Sequence, residues 1–132
     1  MTGTETQTIP EQNKHLITRW FDEVWTDGRR ETISELYAAD GILHDGSKTL
    51  RGRDEFLAFY DALRAEFSDF HVTCFPVLAE GDKASARWSV ECTHKSGKSV
   101  HLTGMAIVQI RNGQFIKAWQ NYDEAGIAAQ LS

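Results

Sequence analysis

The chain has 132 residues, 41% of them hydrophobic and 25% charged, and a formal net charge of -5, which suffices for one domain with a core of its own and not for two. An acidic balance with no basic stripe argues against nucleic acid as a partner, and no apolar run approaches the roughly 18 residues that a membrane span needs. The polar start of the chain carries no signal-peptide core, so the expectation is a disordered tail over 1–8, a single domain over 9–132, and a soluble, cytoplasmic protein.

Thr8 with Glu11 resembles a capping box, and Pro10 suits a first helical turn, so a helix is predicted from about Pro10. Leu16, Ile17, Trp20, Phe21, Val24 and Trp25 recur at helical spacing along it, and Asp27-Gly28 ends it. A shorter helix is expected over 30–39, burying Ile33, Leu36 and Tyr37, followed by a short strand over 42–45. Gly46-Ser47 and Arg51-Gly52 are turn chemistry. The stripe Phe56, Phe59, Tyr60, Leu63 and Phe67 then marks the longest amphipathic helix, starting at Asp54.

From His71 to Asp123 three turn signals, Gly81-Asp82, Ser96-Gly97 and Asn112-Gly113, separate strand-like segments. They read as a four-strand antiparallel meander, with Pro76 expected at an edge or bulge because it cannot donate to a ladder. A final helix is predicted over 124–131. If each loop holds two residues, Phe75, Trp88, Met105 and Gln120 share one level; Thr73, Val90, Thr103 and Tyr122 the next; and His71, Cys92 and His101 the third. Ala84, Ala86, Trp88, Val90 and Cys92 alternate with polar residues, so this set is expected to face inward. An apolar wall with a few polar groups is the usual make-up of a small-molecule pocket. Cys74 and Cys92 fall on opposite faces by this parity, and no disulfide is expected between them.

The element order, together with RWFDEVW (19–25), LRGRDEFLAFYDAL (50–63), VLAEGDKASARWSV (77–90) and RNGQFIKAWQNYDEAGIAAQL (111–131), resembles the SnoaL-like polyketide cyclase branch of the nuclear transport factor 2-like superfamily. The resemblance implies an α+β, cone-shaped, cystatin-like fold: three N-terminal helices packed on a curved, mainly antiparallel sheet, and a short C-terminal helix. It also implies that the mouth of the cone receives an apolar ring system or chain, and that dimers form through the outer face of the sheet. In the cyclases it implies an acid–base residue directly after the tryptophan of the last strand, working with a nearby histidine or amide. That position here is Gln120, which can hydrogen-bond a carbonyl but cannot exchange a proton at neutral pH. A second acid position, three residues later, is filled by Asp123.

Asp123 is a candidate general base, yet parity turns it away from Gln120 and Tyr122, and it suits the N-cap of the final helix. His71 and His101 are candidates for moving a proton, or simply polar groups at the rim. As metal ligands they lack a carboxylate partner, and neither metal nor cofactor is expected. His44 is read either as cavity lining or as a solvated turn residue, with Asp45 badly placed to orient it. Tyr60 and Tyr122 are hydroxyl donors that either complete the core or touch substrate, and Trp88 and Phe59 are the aromatics expected to meet a ligand. Substrate contacts are thus expected from Gln120, Tyr122, Trp88, Phe59, Tyr60, Met105, Thr103 and Phe75.

On the outer face, parity gathers Leu102, Ala106, Val108 and Ile110 beside Phe115 and Trp119. A homodimer through Trp119, Phe115, Val108 and Ile110 would cover such a patch. The sequence therefore reads as a binder of a small apolar molecule. It is either an enzyme of acid–base chemistry next to a carbonyl, of the cyclase or ketosteroid isomerase kind, or a non-catalytic binding or accessory protein. Epoxide hydrolysis ranks third.

Overall fold

The computed structural model describes residues 8–75 and 77–132. The expectations for most of the tail, and for Pro76, lie outside the described residues.

Thr8 caps α1 (Ile9–Arg19), its hydroxyl accepting the Glu11 N–H at 3.2 Å. The helix then widens into a π-helical segment, π1 (Trp20–Thr26), that buries Trp20, Phe21 and Val24. Wider turns of this kind occur often beside functional sites. The next helix, α2 (Arg30–Leu36), is shorter than its periodicity predicts. Tyr37 leaves it to begin β1 (Tyr37–Asp45), pairing with Phe115 and stacking on Phe56 at 4.9 Å between ring centroids. Long-range pairing thus overrides the local pattern of Ile33, Leu36 and Tyr37. The chain turns at Gly46, whose φ of 60° suits glycine, into β2 (Lys48–Arg51). It continues into α3 (Arg53–Glu66), β3 (Phe67–Cys74), β4 (Leu78–Glu80), β5 (Lys83–His94), β6 (Ser99–Arg111), β7 (Gln114–Tyr122) and α4 (Glu124–Leu131).

These strands form a mostly antiparallel, curved sheet in the order β2-β1-β7-β6-β5-β3, with β4 also on β5; β1 and β7 run parallel. The helices cover one face, as an α+β layer arrangement requires. Between the layers Phe56, 1% exposed, sits among Trp20, Trp25, Tyr37, Phe59 and Tyr60. Arg19 binds Glu23 and Glu35, and Thr32 donates to Glu23, so a charged network joins π1 to α2. The Arg19 guanidinium, then the Thr32 hydroxyl, hold the Glu23 carboxyl down at about 2. Among the described residues no helix is long and apolar enough to cross a membrane.

The strand registers depart from uniform two-residue loops in three places. Glu80 pairs with Lys83 across Gly81-Asp82 as expected, but one extra residue is taken up between Cys74 and Leu78. Hence Cys74 and Val72, rather than Phe75, Thr73 and His71, oppose Trp88 and Val90 on the inner face. At the second turn the ladder closes on Thr93 with Ser99, and the His94 N–H donates to the Lys98 carbonyl, which leaves Lys95, Ser96 and Gly97 in the loop. Gly97, at φ 93°, permits this longer hairpin. The extra residue turns Met105, Thr103 and His101 outward and brings Gly104, Leu102 and Val100 inward.

At the third turn Arg111 pairs with Gln114 as expected, but Gln109 pairs with Lys117 and Ile110 with Phe115, so Ile116 is a bulge. This bulge cancels the slip made at the second turn. Gln120 and Tyr122 lie on the same face as Trp88, as the simpler arithmetic had them. Val108, Ile110 and Phe115, expected outside, are buried in the core with Ala106, and Leu102 packs against it. Cys74 and Cys92 share the inner face and are both free.

Truncating the central ring should be costly. Phe56→Ala is expected to lose about 3–5 kcal/mol of unfolding free energy, read from the urea midpoint at constant slope, and Phe56→Leu clearly less.

Candidate functional site

Under the helices the sheet encloses a cavity of about 120 Å³. Phe21 and Trp25 of π1 and Phe59 and Leu63 of α3 form its roof. Phe70, Val72, Trp88, Val90 and Leu102 form its floor, and Ile127 of α4 also contributes. Gln120 and Tyr122 give this apolar lining its strongest polar groups.

Behind these two side chains lies Asp45, 0% exposed. Parallel pairing sets Asp45 beside Gln120, and the Gly46 N–H donates to the Gln120 carbonyl at 2.9 Å, which locks that register. The Gln120 amide donates to Asp45 Oδ1 at 2.9 Å, and the Tyr122 hydroxyl to Oδ2 at 3.1 Å. Burial pushes the Asp45 carboxyl above its ordinary range; the bonds from Gln120 and Tyr122 and the charge of Lys48 pull it back only in part. Burial, and then the neighbouring Asp45 charge, push the Tyr122 hydroxyl up as well.

This arrangement has two electrostatic states. With Asp45 ionised, the Tyr122 proton points to the carboxylate, and the phenolic oxygen can offer its lone pairs to the cavity. With Asp45 protonated, the carboxyl can donate to Tyr122, whose own proton is then free for a ligand oxygen. A proton gained or lost at a group with no exposed surface thereby changes the polarity of the cavity wall.

Of the residues singled out in the sequence, Gln120, Tyr122, Trp88 and Phe59 line the cavity. Tyr60 does not, because its hydroxyl donates to the Val24 carbonyl at 2.8 Å inside the core. Phe75 lies on the outer face under the Arg87 guanidinium, 4.1 Å from the ring centroid. Met105 and Thr103 are exposed on that face.

The histidines do not converge on the cavity. His71 and His101 are exposed on the outer face, both next to Glu91. His44, paired with outward Trp119, stacks on its ring at 6.2 Å and contacts Thr49. Asp123 caps α4, accepting the Gly126 N–H at 2.9 Å, and is exposed.

Sequence reasoning treated Asp45 only as a support for His44. One signal pointed to it: two inward donors, Gln120 and Tyr122, on one strand need an acceptor, and Asp45 has the opposite parity to an outward His44. The pairing of β1 with β7 is what joins them, and no turn in the sequence announces a parallel partner.

A curved sheet roofed by helices, with an apolar cavity and a buried carboxyl at its wall, defines a cone-shaped α+β domain. The chain belongs to the SnoaL-like polyketide cyclase family, whose pattern it matches over residues 15–131. It is similar to a proposed SnoaL-like polyketide cyclase of Jannaschia sp. CCS1, with 23% identity, TM-score 0.86 and 94% of each chain covered. IdmH of Streptomyces antibioticus, also a proposed polyketide cyclase, has 23% identity and TM-score 0.78, with 89% of this chain and 96% of that one covered. A protein of Catenulispora acidiphila with a ketosteroid isomerase-like fold, solved in complex with trimethylamine, has 21% identity and TM-score 0.77, with 87% and 90% covered. At these identities the likeness speaks for the fold. No curated protein matches the chain at a significant level.

The raised Asp45 pKa sets the sign of a pH effect. Its neutral form is favoured in the folded state, so its contribution to stability is full below the ordinary carboxyl pKa and is lost as pH rises through the folded value. Asp45→Asn, which keeps an acceptor for Gln120 and a donor toward Tyr122, should gain stability relative to the parent protein as pH rises across that window. Urea midpoints of both proteins from acid to neutral pH test this. A difference that does not vary with pH would contradict it.

Proposed function

We propose that this protein moves a proton next to the carbonyl of a small, largely apolar substrate, as in an intramolecular aldol closure or a double-bond isomerisation. One observation carries the reading: the buried Asp45 carboxyl, held by Gln120 and Tyr122 at the wall of an otherwise apolar cavity. The ionised carboxylate is the base. Tyr122 takes the proton from the carbon beside the carbonyl onto its oxygen while its own hydroxyl proton passes to Asp45. Gln120 fixes the carboxylate and lends its amide to the substrate oxygen. A carboxyl whose pKa burial raises above its ordinary range makes a stronger base than an exposed aspartate, and a positioned base contributes on the order of a hundred- to ten-thousand-fold.

The cavity supports a substrate group about the size of one six-membered ring, since a dry cavity of roughly 150 Å³ accepts benzene. A larger polyketide would place one ring inside and the rest beyond the mouth. The rival reading, ligand binding without turnover, is favoured by Asp45 itself having no exposed surface and by the lack of a histidine or carboxylate among the described residues that line the cavity. Epoxide hydrolysis ranks last, because Gln120 and Tyr122 already occupy both Asp45 oxygens that would have to position a water.

Cyclohexanone is a fitting probe. In D2O the protein should speed exchange of its α-hydrogens, followed by NMR, and the rate should rise with pH as Asp45 ionises. Asp45→Asn and Tyr122→Phe should each lower the rate at least about a hundredfold while the ketone still binds. Binding without any accelerated exchange would favour the non-catalytic reading instead.

Assembly as a homodimer through the outer sheet face is also part of this proposal, with a different set of residues from those first expected. Met105 and Ile107 are 61% and 45% exposed, and Ile107 pairs directly with Trp119 across the strands. An apolar surface of this kind favours cover by a second copy. Sedimentation at micromolar concentration should give a dimer, and Ile107→Glu or Trp119→Glu a monomer. A monomeric parent protein would refute the assignment.

A further inference from the structure

We infer that Trp88 is a ligand-binding donor, its indole N–H donating a hydrogen bond to the substrate oxygen and thereby selecting carbonyl compounds over hydrocarbons of the same shape. The inference rests on the cavity being the site proposed above, and adds a group which that mechanism leaves unused.

Trp88 lines the cavity and is 6% exposed, yet its Nε1 has no hydrogen-bond partner. Among the described residues it is the one buried side-chain nitrogen or oxygen in this condition. Leaving such a donor unpaired is unfavourable, so a buried orphan in the lining of a cavity calls for a partner that arrives from outside. An apolar ring would fill the same space without that cost, and phenylalanine is the simplest alternative.

The placement of the indole points the same way. Gly104 lies opposite Trp88 on β6, and a Cβ at Gly104 would collide with the Cε2–Cζ2 edge of the indole. Cε2 is the atom bonded to Nε1, so the glycine makes room for the edge of the ring that carries the donor. Gly104 is paired in turn with Tyr122, whose ring centroid is 6.3 Å from that of Trp88. The indole that carries the unused donor thus lies beside Tyr122, the residue that would take the proton. Proton removal beside a carbonyl develops negative charge on the oxygen, and a donor held ready in a dry site stabilises that charge more than it does the neutral ketone. Tyr122 with Asp45 would take the proton, and Trp88 would hold the oxygen.

The test pairs cyclohexanone with methylenecyclohexane, which replaces the carbonyl oxygen by a CH₂ group and keeps the ring. In 15N-labelled parent protein the Trp88 indole N–H signal, identified by its loss in Trp88→Phe, should move downfield with the ketone and not with the hydrocarbon. Trp88→Phe should bind cyclohexanone about tenfold more weakly and methylenecyclohexane within about twofold of the parent. Gly104→Ala, which displaces the indole, should lose the same preference for the ketone. If the ketone binds and the Trp88 signal does not follow it, the inference is wrong while the Asp45 reading stands. If neither compound binds, the cavity is not the site and both fall.

Discussion

Everything at this site depends on the parallel pairing of β1 with β7. That contact joins strands far apart in the chain, sets Asp45 against Gln120, and is pinned where the Gly46 N–H meets the Gln120 carbonyl. A carboxyl removed from water is unfavourable unless donors replace its hydration. Two adjacent inward residues of β7, Gln120 and Tyr122, supply them, and the folded state still favours the neutral acid more than water does. A group that folding stability alone would replace is thus held at the wall of the cavity. Such residual tension is common where a titrating group has chemistry to perform.

The aromatic layer gives this carboxyl its setting. Phe56 and its ring neighbours pack between the helices and the sheet, and the widened turns of π1 keep Trp20, Phe21 and Val24 buried together. Phe21, Trp25 and Phe59 then complete an apolar roof over a small space. In such surroundings each polar group counts for more than it would at the surface, because water does not compete for it. Asp45, Tyr122, Gln120 and Trp88 are few, close together and almost free of rivals.

The registers show how a strand's face is decided. Two-residue loops predict the first and third turns correctly, yet one more residue at Lys95–Gly97 inverts β6, and the bulge at Ile116 restores β7. Period-two alternation makes every such insertion an all-or-none change for the residues beyond it. The residues of β6 that look amphipathic in sequence, such as Met105 with Thr103 and His101, are outward for this reason. Gln120 and Tyr122 face inward because two insertions cancel, which no count of residues between turns could reveal.

What the amino-acid sequence determined by itself was local or periodic. The Thr8 cap, the apolar stripes of α1 and α3, the alternation of β5, the turn residues, Asp123 as the cap of α4, and the family pattern from residue 15 to 131 all rest on neighbours in the chain. The tertiary structure alone decided the end of α2 at Leu36, the outward turn of His44, His71 and His101, and the presence of Asp45 behind the cavity wall. These depend on bulges and on a parallel partner some seventy-five residues away. Their free energy comes from contacts between distant segments, and a local pattern carries no trace of which distant segment will arrive.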